Sequence, residues 1–202
     1  MKLGFDIDGI IANMAQAMID FINKKYKLKH TVDVFNFHDL WKNRYVDDEK
    51  LNRQVTQDMY DEIIDNEEAL FKIPLYKEAV RFLRVLKKNG HSLHFITARR
   101  DAAKKSTVDW FRKNKIPFDT IHATGSTPRP RKGMLGRTLN LDFYIDDQIE
   151  YLEEMYMYKN RWRKGLFLFN RPWNENEVID LSKFKRVSSW KELNRHLGIY
   201  NR

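Results

Sequence analysis

The sequence has no cysteine among its 202 residues. This absence excludes disulfide bonds, thiolate nucleophiles and zinc sites with cysteine ligands. No stretch approaches the roughly 18 uninterrupted apolar residues that a transmembrane helix requires. A secretory signal peptide is not expected, because Asp6 and Asp8 interrupt the apolar N-terminal segment. We therefore expect a cytoplasmic protein without a membrane partner.

Recognisable nucleic-acid-binding motifs are also missing: there is no arginine-rich tail, zinc finger or RNA-recognition motif. Lys and Arg total 37 against 28 Asp and Glu, a net charge of +9. This balance favours anionic partners through the long-range field. A small phosphorylated substrate is the preferred partner, nucleic acid is possible but less favoured, and a homodimer is compatible with the sequence.

Short apolar runs alternate with helical spacing along most of the chain. The hydrophobic content of 42% suffices for a packed core. Five runs predict β-strands: Lys2–Ile7, Ser92–Thr97, Asp119–Ala123, Asp142–Asp146 and Gly165–Phe169. The alternation predicts an α/β fold, a Rossmann-like open parallel sheet with helices on both faces.

One region breaks this alternation. From about Ala12 to Phe71 the apolar residues show only helical spacing, and this stretch is too long for a simple crossover between strands. We predict a small helical subdomain, residues 13–72, inserted after the first strand of a core that comprises residues 1–12 and 73–202. The insertion follows the carboxyl end of that strand, where open sheets bind their ligands.

Polar side chains stand at or near the ends of several predicted strands. They are Asp6, Asp8, Thr97, Lys132, Asp146 and Asp147. Taken singly, they could be turn formers, helix caps or surface charge. Because the carboxyl ends of parallel strands meet at one edge of a sheet, we expect them to share a pocket. Four carboxylates with a lysine and a hydroxyl suit Mg²⁺ and phosphoryl transfer.

The order of these motifs resembles that of the haloacid dehalogenase superfamily of phosphohydrolases. The segments GFDIDGIIA, HFITARR and KGMLGRTLNLDFYIDD carry this resemblance. LFNRPWNENEV and RVSSWKEL further resemble the bacterial relatives of the 5′(3′)-deoxyribonucleotidases, or cytosolic type C 5′-nucleotidases. The resemblance extends from residue 4 to about residue 195, although the insertion matches only in position and helical character.

The resemblance implies a catalytic role for each matching residue. Asp6 would attack phosphorus and form an aspartyl-phosphate. Asp8 would protonate the leaving oxygen and then activate the hydrolytic water. Thr97 and Lys132 would hold the phosphoryl oxygens. The implied activity is that of a phosphatase for phosphate monoesters, and more narrowly of a 5′-nucleotidase acting on (deoxy)nucleoside monophosphates.

The resemblance also implies a cofactor, Mg²⁺. Its ligands would be Asp6, the main-chain carbonyl of Asp8 and one of Asp146 and Asp147. Asp146 is favoured as the direct ligand, with Asp147 steadying the ligand shell.

In this superfamily an insertion after the first strand acts as a cap that selects the substrate. Phe37 and Trp41 belong to an aromatic segment of the insertion and could stack on a nucleobase. Arg99 and Arg100 could contact phosphate. The alternatives are that the rings form the core of the insertion and that the arginines are surface charge.

Three other functions fit parts of the pattern. The same chemistry could act on 3′-phosphorylated nucleic-acid ends or on another small phosphorylated metabolite. A signalling receiver domain also combines Asp, Thr and Lys, but its paired acids lie at the first strand, whereas here the pair comes last. A non-catalytic phosphate-binding protein is disfavoured because every expected catalytic side chain is present.

Overall fold

A computed structural model of the chain describes residues 1–125, 132–158, 162 and 164–198. The described residues contain six β-strands: β1 (Lys2–Phe5), β2 (Ser92–Thr97), β3 (Thr120–Ala123), β4 (Phe143–Asp146), β5 (Gly165–Phe169) and β6 (Phe184–Val187). They also contain eight α-helices: α1 (Met14–Tyr26), α2 (Glu49–Met59), α3 (Glu67–Leu70), α4 (Lys77–Lys88), α5 (Lys104–Lys113), α6 (Lys132–Thr138), α7 (Ile149–Met157) and α8 (Trp190–Leu197).

The strands form one parallel sheet in the order β3-β2-β1-β4-β5-β6. The chain starts in the middle at β1, moves outward to β3, and then crosses to β4 on the other side of β1. The carboxyl ends of β1 and β4 therefore flank the point where the strand order reverses, and ligands bind at such a point. This architecture confirms the predicted Rossmann-like fold.

The five predicted strands are confirmed, three of them shortened at one end, and one further strand is present. β1 ends at Phe5 rather than Ile7, because the carbonyl of Ile7 accepts from three backbone amides in a tight turn, those of Ile10, Ile11 and Ala12. The additional strand, β6, pairs with β5 at the edge of the sheet. It escaped prediction because its two buried residues are separated by two basic ones.

Local sequence explains the helices that pack on the sheet. On α4 the buried residues follow helical spacing: Ala79, Val80, Phe82, Leu83 and Leu86. This helix stops at Asn89, and Gly90 follows with φ 77°, a conformation that glycine adopts without strain.

Residues 13–72, called the helical insertion below, hold α1, α2 and α3 and a hydrophobic cluster of their own. The cluster is formed by Ala15, Met18, Ile19, Ile22, Phe35, Leu40, Tyr45, Val55 and Met59. The chain enters and leaves this segment side by side, since Asn13 N donates to Pro74 O (2.8 Å) and Tyr76 N donates to Ile11 O (3.0 Å). Among the described residues, none of the helices has both the length and the apolar character needed to cross a bilayer.

Candidate active site

The turn after β1 brings two aspartates to the edge of the sheet. Asp6 continues the pairing of β1 with β4, because its amide donates to Ile145 O at 2.9 Å. Gly9 lies at φ 77°, and a Cβ atom there would lie 2.2 Å from Asp147 Oδ2. Glycine is therefore required at this position both by the backbone and by the neighbouring carboxylate.

Lys132, at the start of α6, joins the ends of β1 and β4. Its Nζ donates to Asp6 Oδ1 at 2.7 Å and to Asp146 Oδ2 at 2.9 Å, and its side chain is only 1% exposed. Tyr144 donates its hydroxyl to Asp146 Oδ2 (3.0 Å), and the ring of Tyr151 lies with its centroid 3.7 Å from Lys132 Nζ. The predicted lysine is thus a buried bridge between two aspartates rather than a surface charge.

The buried site carries more negative than positive charge. Burial raises the pKa of Asp6 to about 8, and repulsion by neighbouring carboxylates adds to this effect while Lys132 opposes it. Burial, followed by repulsion from Asp146 and Asp6, also raises the pKa of Asp147 well above its usual value. Burial alone would lower the pKa of Lys132, but the attraction of Asp146 and Asp6 outweighs it and raises that pKa.

The residues of this cluster fit a divalent metal ion. Asp6, Asp146 and Asp147 each offer a carboxylate oxygen, and these oxygens lie within 4.8 Å of one another. When all three carboxylates are ionised, they exceed the single ammonium of Lys132 by two negative charges, which one Mg²⁺ would neutralise. Asp147 Oδ1 is buried and has no hydrogen-bond partner, as expected of an oxygen reserved for a cation or its water.

Asp8 is paired with Arg99 and stands apart from this cluster. Arg99 Nε donates to Asp8 Oδ2 (2.9 Å) and Arg99 Nη2 to Asp8 Oδ1 (2.7 Å), while Nη1 donates to Thr107 Oγ1 (3.1 Å). The structure thus places the Arg99 guanidinium on the predicted acid–base residue, which sequence reasoning had not paired with it. Thr97 is buried at the end of β2, and its Oγ1 accepts from Arg99 N at 3.2 Å.

A cavity of about 380 Å³ lies between the helical insertion and the strand ends. Such a volume suits a small-molecule ligand. Asp8 and Asp147 line it from the sheet, and Phe37 and His38 line it from the insertion. Phe37 is 49% exposed, so its ring is available for contact.

Of the other two predicted substrate contacts, Arg100 lines the cavity and Trp41 does not. Trp41 stacks on Tyr60 (5.9 Å between ring centroids, 15° between planes), and Tyr60 rather than Trp41 lines the cavity. Arg100 lines the cavity and pairs with Asp65 of the insertion at 2.7 Å. Within the same aromatic segment, Phe35 and Tyr45 are buried in the cluster of the insertion, as the alternative interpretation held.

Sequence reasoning missed three residues that contact the site: Tyr144, Arg171 and Trp173. Tyr144 could have been found, because it precedes Asp146 by two residues and so faces the same side of its strand. Trp173 Nε1 donates to Asp147 Oδ2 at 2.8 Å, and Arg171 Nε donates to Gly9 O at 2.6 Å. Both residues lie in the LFNRPWNENEV segment, where only the resemblance drew attention to them.

Known proteins share both the sequence pattern and the fold. Proteins described as "putative nucleotidase" are 26% identical over 193 residues in Oceanobacillus iheyensis (95% of this chain, 96% of the relative) and 24% identical over 200 residues in Bacillus subtilis (97% and 96%). The fold is similar to that of a haloacid dehalogenase family hydrolase from Deinococcus radiodurans, solved with phosphate and sodium (TM-score 0.64, 12% identity, 99% and 97% of the two chains). It is also similar to that of a superfamily hydrolase from Ehrlichia chaffeensis (TM-score 0.56, 12% identity, 99% and 97%).

A family profile covers almost the whole sequence. Residues 1–200 match the family described as 5′ nucleotidase, deoxy (pyrimidine), cytosolic type C protein. This match includes the turn after β1, Lys132 and the paired aspartates Asp146 and Asp147 at the carboxyl end of β4. The chain therefore belongs to the cytosolic type C 5′-nucleotidase family, and its fold is that of haloacid dehalogenase hydrolases.

Proposed function

We propose that the protein is a Mg²⁺-dependent phosphatase that hydrolyses nucleoside monophosphates through an aspartyl-phosphate. The observation that carries this proposal is the buried bridge from Asp6 through Lys132 to Asp146, with Asp147 beside it, below a cavity of small-molecule size. Family membership supports the reaction class and the nucleotide substrate. The description of that family as cytosolic also supports a cytoplasmic location.

The first half of the proposed reaction transfers the phosphoryl group to Asp6. Lys132 fixes one oxygen of this carboxylate, which leaves the other to form the bond to phosphorus. The bond between phosphorus and the ester oxygen breaks as Asp8 gives a proton to the departing oxygen. For this step Asp8 must carry a proton, and one of its two oxygens must leave its Arg99 donor. Lys132 and Thr97 stabilise the charge on the phosphoryl oxygens.

The second half regenerates the enzyme. Asp8, now a carboxylate, takes a proton from water as the water oxygen attacks phosphorus, and the bond between phosphorus and Asp6 breaks. The products are inorganic phosphate, the alcohol released earlier and the free Asp6 carboxylate. Asp6, Asp146, Asp147 and the Asp8 carbonyl would hold Mg²⁺, which when bound neutralises the excess negative charge.

We also propose that the helical insertion (residues 13–72) is a cap over a core of residues 1–12 and 73–202. The cavity lies between the two parts, and the exposed pair of Arg100 with Asp65 connects them. Phe37 offers a ring on the insertion side, where a nucleobase could stack. A cavity of about 380 Å³ accommodates a mononucleotide more readily than the end of a polymer, which favours a small substrate over 3′-phosphorylated nucleic acid.

A substrate panel tests this proposal. Phosphate release is measured from ribo- and deoxyribonucleoside monophosphates, sugar phosphates and 3′-phosphorylated oligonucleotides, with Mg²⁺ and with EDTA. We expect Mg²⁺-dependent turnover of nucleoside monophosphates that is lost in Asp6→Asn and kept in Asp20→Asn, which changes an exposed carboxylate. Turnover by Asp6→Asn would contradict the mechanism, and turnover of oligonucleotides alone would contradict the substrate.

A further inference from the structure

A short turn after β5 holds Asp147 by both its backbone and its side chain. The turn is the 3₁₀-helix Pro172–Asn174. Asn174 Nδ2 donates to the main-chain oxygen of Asp147 at 2.7 Å, and Trp173 Nε1 donates to Asp147 Oδ2 at 2.8 Å. Asn174 is itself fixed, because its Oδ1 accepts from Arg171 N at 3.0 Å. The turn that carries both donors to Asp147 is thus closed by a hydrogen bond of its own.

The ring of Trp173 also contacts the helical insertion. It meets the buried ring of Phe35 edge-on, with 6.5 Å between centroids and 82° between planes. Phe35 is 1% exposed and packs in turn on Tyr45, 5.9 Å away. Trp173 therefore follows β5 along the chain, while its ring packs against the hydrophobic cluster of the insertion.

The indole N–H decides which oxygen of Asp147 is free. Oδ2 accepts from Trp173, whereas Oδ1 is buried without a hydrogen-bond partner. Asp147 also brings one of its carboxylate oxygens within 4.8 Å of those of Asp6 and Asp146. The backbone of Gly9 lies directly against this carboxylate, so rotation toward Gly9 is restricted. A carboxylate held in this way presents one defined oxygen to a cation or to its bound water.

We infer that Trp173 is a positioning residue that couples the seating of the helical insertion to the Mg²⁺ affinity of Asp147. This inference rests on the metal site of the proposed function. If packing of the Trp173 ring on Phe35 favours the orientation that binds Mg²⁺, then by linkage Mg²⁺ favours the seated insertion to the same extent. The metal and the segment that closes over the substrate would thus act on one another without direct contact.

Calorimetric titration of the metal-free protein with MgCl₂ tests the first part. Trp173→Phe keeps an aromatic ring and removes the N–H, and we expect Mg²⁺ to bind about tenfold more weakly, as is common for lost partners of metal ligands. Trp190→Phe is the matched control, because Trp190 packs against Phe82 and Phe169 in the main core. Unchanged affinity in Trp173→Phe would overturn the inference.

Hydrogen exchange of residues 32–45 tests the coupling. Mg²⁺ should slow exchange of this segment in the wild type and leave it unchanged in Trp173→Phe. Phe35→Leu alters the ring on which Trp173 and Tyr45 both pack, and it should also weaken Mg²⁺ binding. Phe35→Leu therefore tests the coupling even if Trp173→Phe fails to fold. Wild-type Mg²⁺ affinity in Phe35→Leu would refute the coupling. So would hydrogen exchange of residues 32–45 that is the same with and without Mg²⁺ in the wild type.

Failure of the proposed function gives a different result. A wild-type protein that binds no Mg²⁺, or an Asp147→Asn variant that binds it as well as the wild type, would remove the metal from this cluster and overturn both proposals. Wild-type binding that is lost in Asp147→Asn but unaffected by Trp173→Phe would overturn the role of Trp173 alone.

Discussion

Asp6→Asn should make the metal-free protein more stable at neutral pH while it abolishes turnover. The pKa of Asp6 is about 8 in the folded state and 3.8 when unperturbed. Because the folded value is the higher one, this carboxyl costs the fold stability that grows as the pH rises from about 4 to about 8. From the unperturbed pKa of about 4 to pH 7 is roughly three pH units. At about 1.4 kcal/mol per unit, the ionisation of Asp6 in the unfolded chain therefore costs the folded state about 4 kcal/mol at pH 7.

Asparagine is a neutral substitute for the protonated carboxyl of Asp6. The attraction between Lys132 and the ionised carboxylate, which the variant loses, is already included in the pKa of Asp6 and needs no separate correction. Urea unfolding in EDTA should show Asp6→Asn about 4 kcal/mol more stable than the wild type at pH 7 and nearly equal to it at pH 4. The exposed variant Asp20→Asn should match the wild type at both pH values.

If the proposed Mg²⁺ site is correct, added Mg²⁺ should narrow this difference in stability. Binding to the folded wild type would stabilise it by mass action, by about 2.7 kcal/mol at a concentration 100 times Kd. A metal-free Asp6→Asn protein no more stable than the wild type at pH 7 would refute the reasoning. It would mean that the buried carboxylates are compensated by groups other than a metal.

Further substitutions separate the other roles. Lys132→Met leaves two buried carboxylates without their cation and should lower the unfolding free energy in EDTA by about 3–5 kcal/mol, as measured in urea. Arg99→Lys keeps the charge but loses the fork on Asp8. It should lower kcat for nucleoside monophosphates by roughly tenfold or more, and less for p-nitrophenyl phosphate, whose leaving group needs no proton; equal losses would contradict this role. Phe37→Ala should raise KM for nucleoside monophosphates about three- to tenfold and leave ribose 5-phosphate unchanged in the same assay. Arg100→Ala removes an exposed ion pair and should change the urea-derived stability by less than about 1 kcal/mol.

Sequence reasoning was most successful where the signal is local. Apolar runs such as Ser92–Thr97 become strands because their residues are buried on both faces, and the carboxyl ends of parallel strands must meet. The approach of Asp6, Lys132 and Asp146 therefore followed from order along the chain. The edge strand Phe184–Val187 offered no such run, because only its terminal residues are buried.

Contacts between side chains distant in sequence could not be predicted. Arg99 reaches Asp8 across 91 residues and Trp173 reaches Asp147 across 26, and neither pairing leaves a periodic trace in the sequence. The aromatic segment shows the same limit. Phe35 is buried and Phe37 is exposed although they are two residues apart, because the backbone there is an irregular chain between short 3₁₀ turns, without a fixed period.

The charge of the site and the charge of the whole protein have opposite signs, and this contrast indicates an order of binding. A phosphate dianion is drawn toward the protein by its net charge of +9, yet at the strand ends it meets three buried carboxylates and one lysine. In the metal-free protein burial raises the pKa of Asp6 and of Asp147, so protons take up part of this negative charge. A divalent cation displaces those protons and supplies the positive charge that attracts the dianion. Because Lys132 is shared between Asp6 and Asp146, its single positive charge cannot balance all the carboxylates of the site. Binding of the metal should therefore precede productive binding of the phosphate ester, and the coupling inferred for Trp173 would connect metal binding to the seating of the insertion beside the substrate cavity.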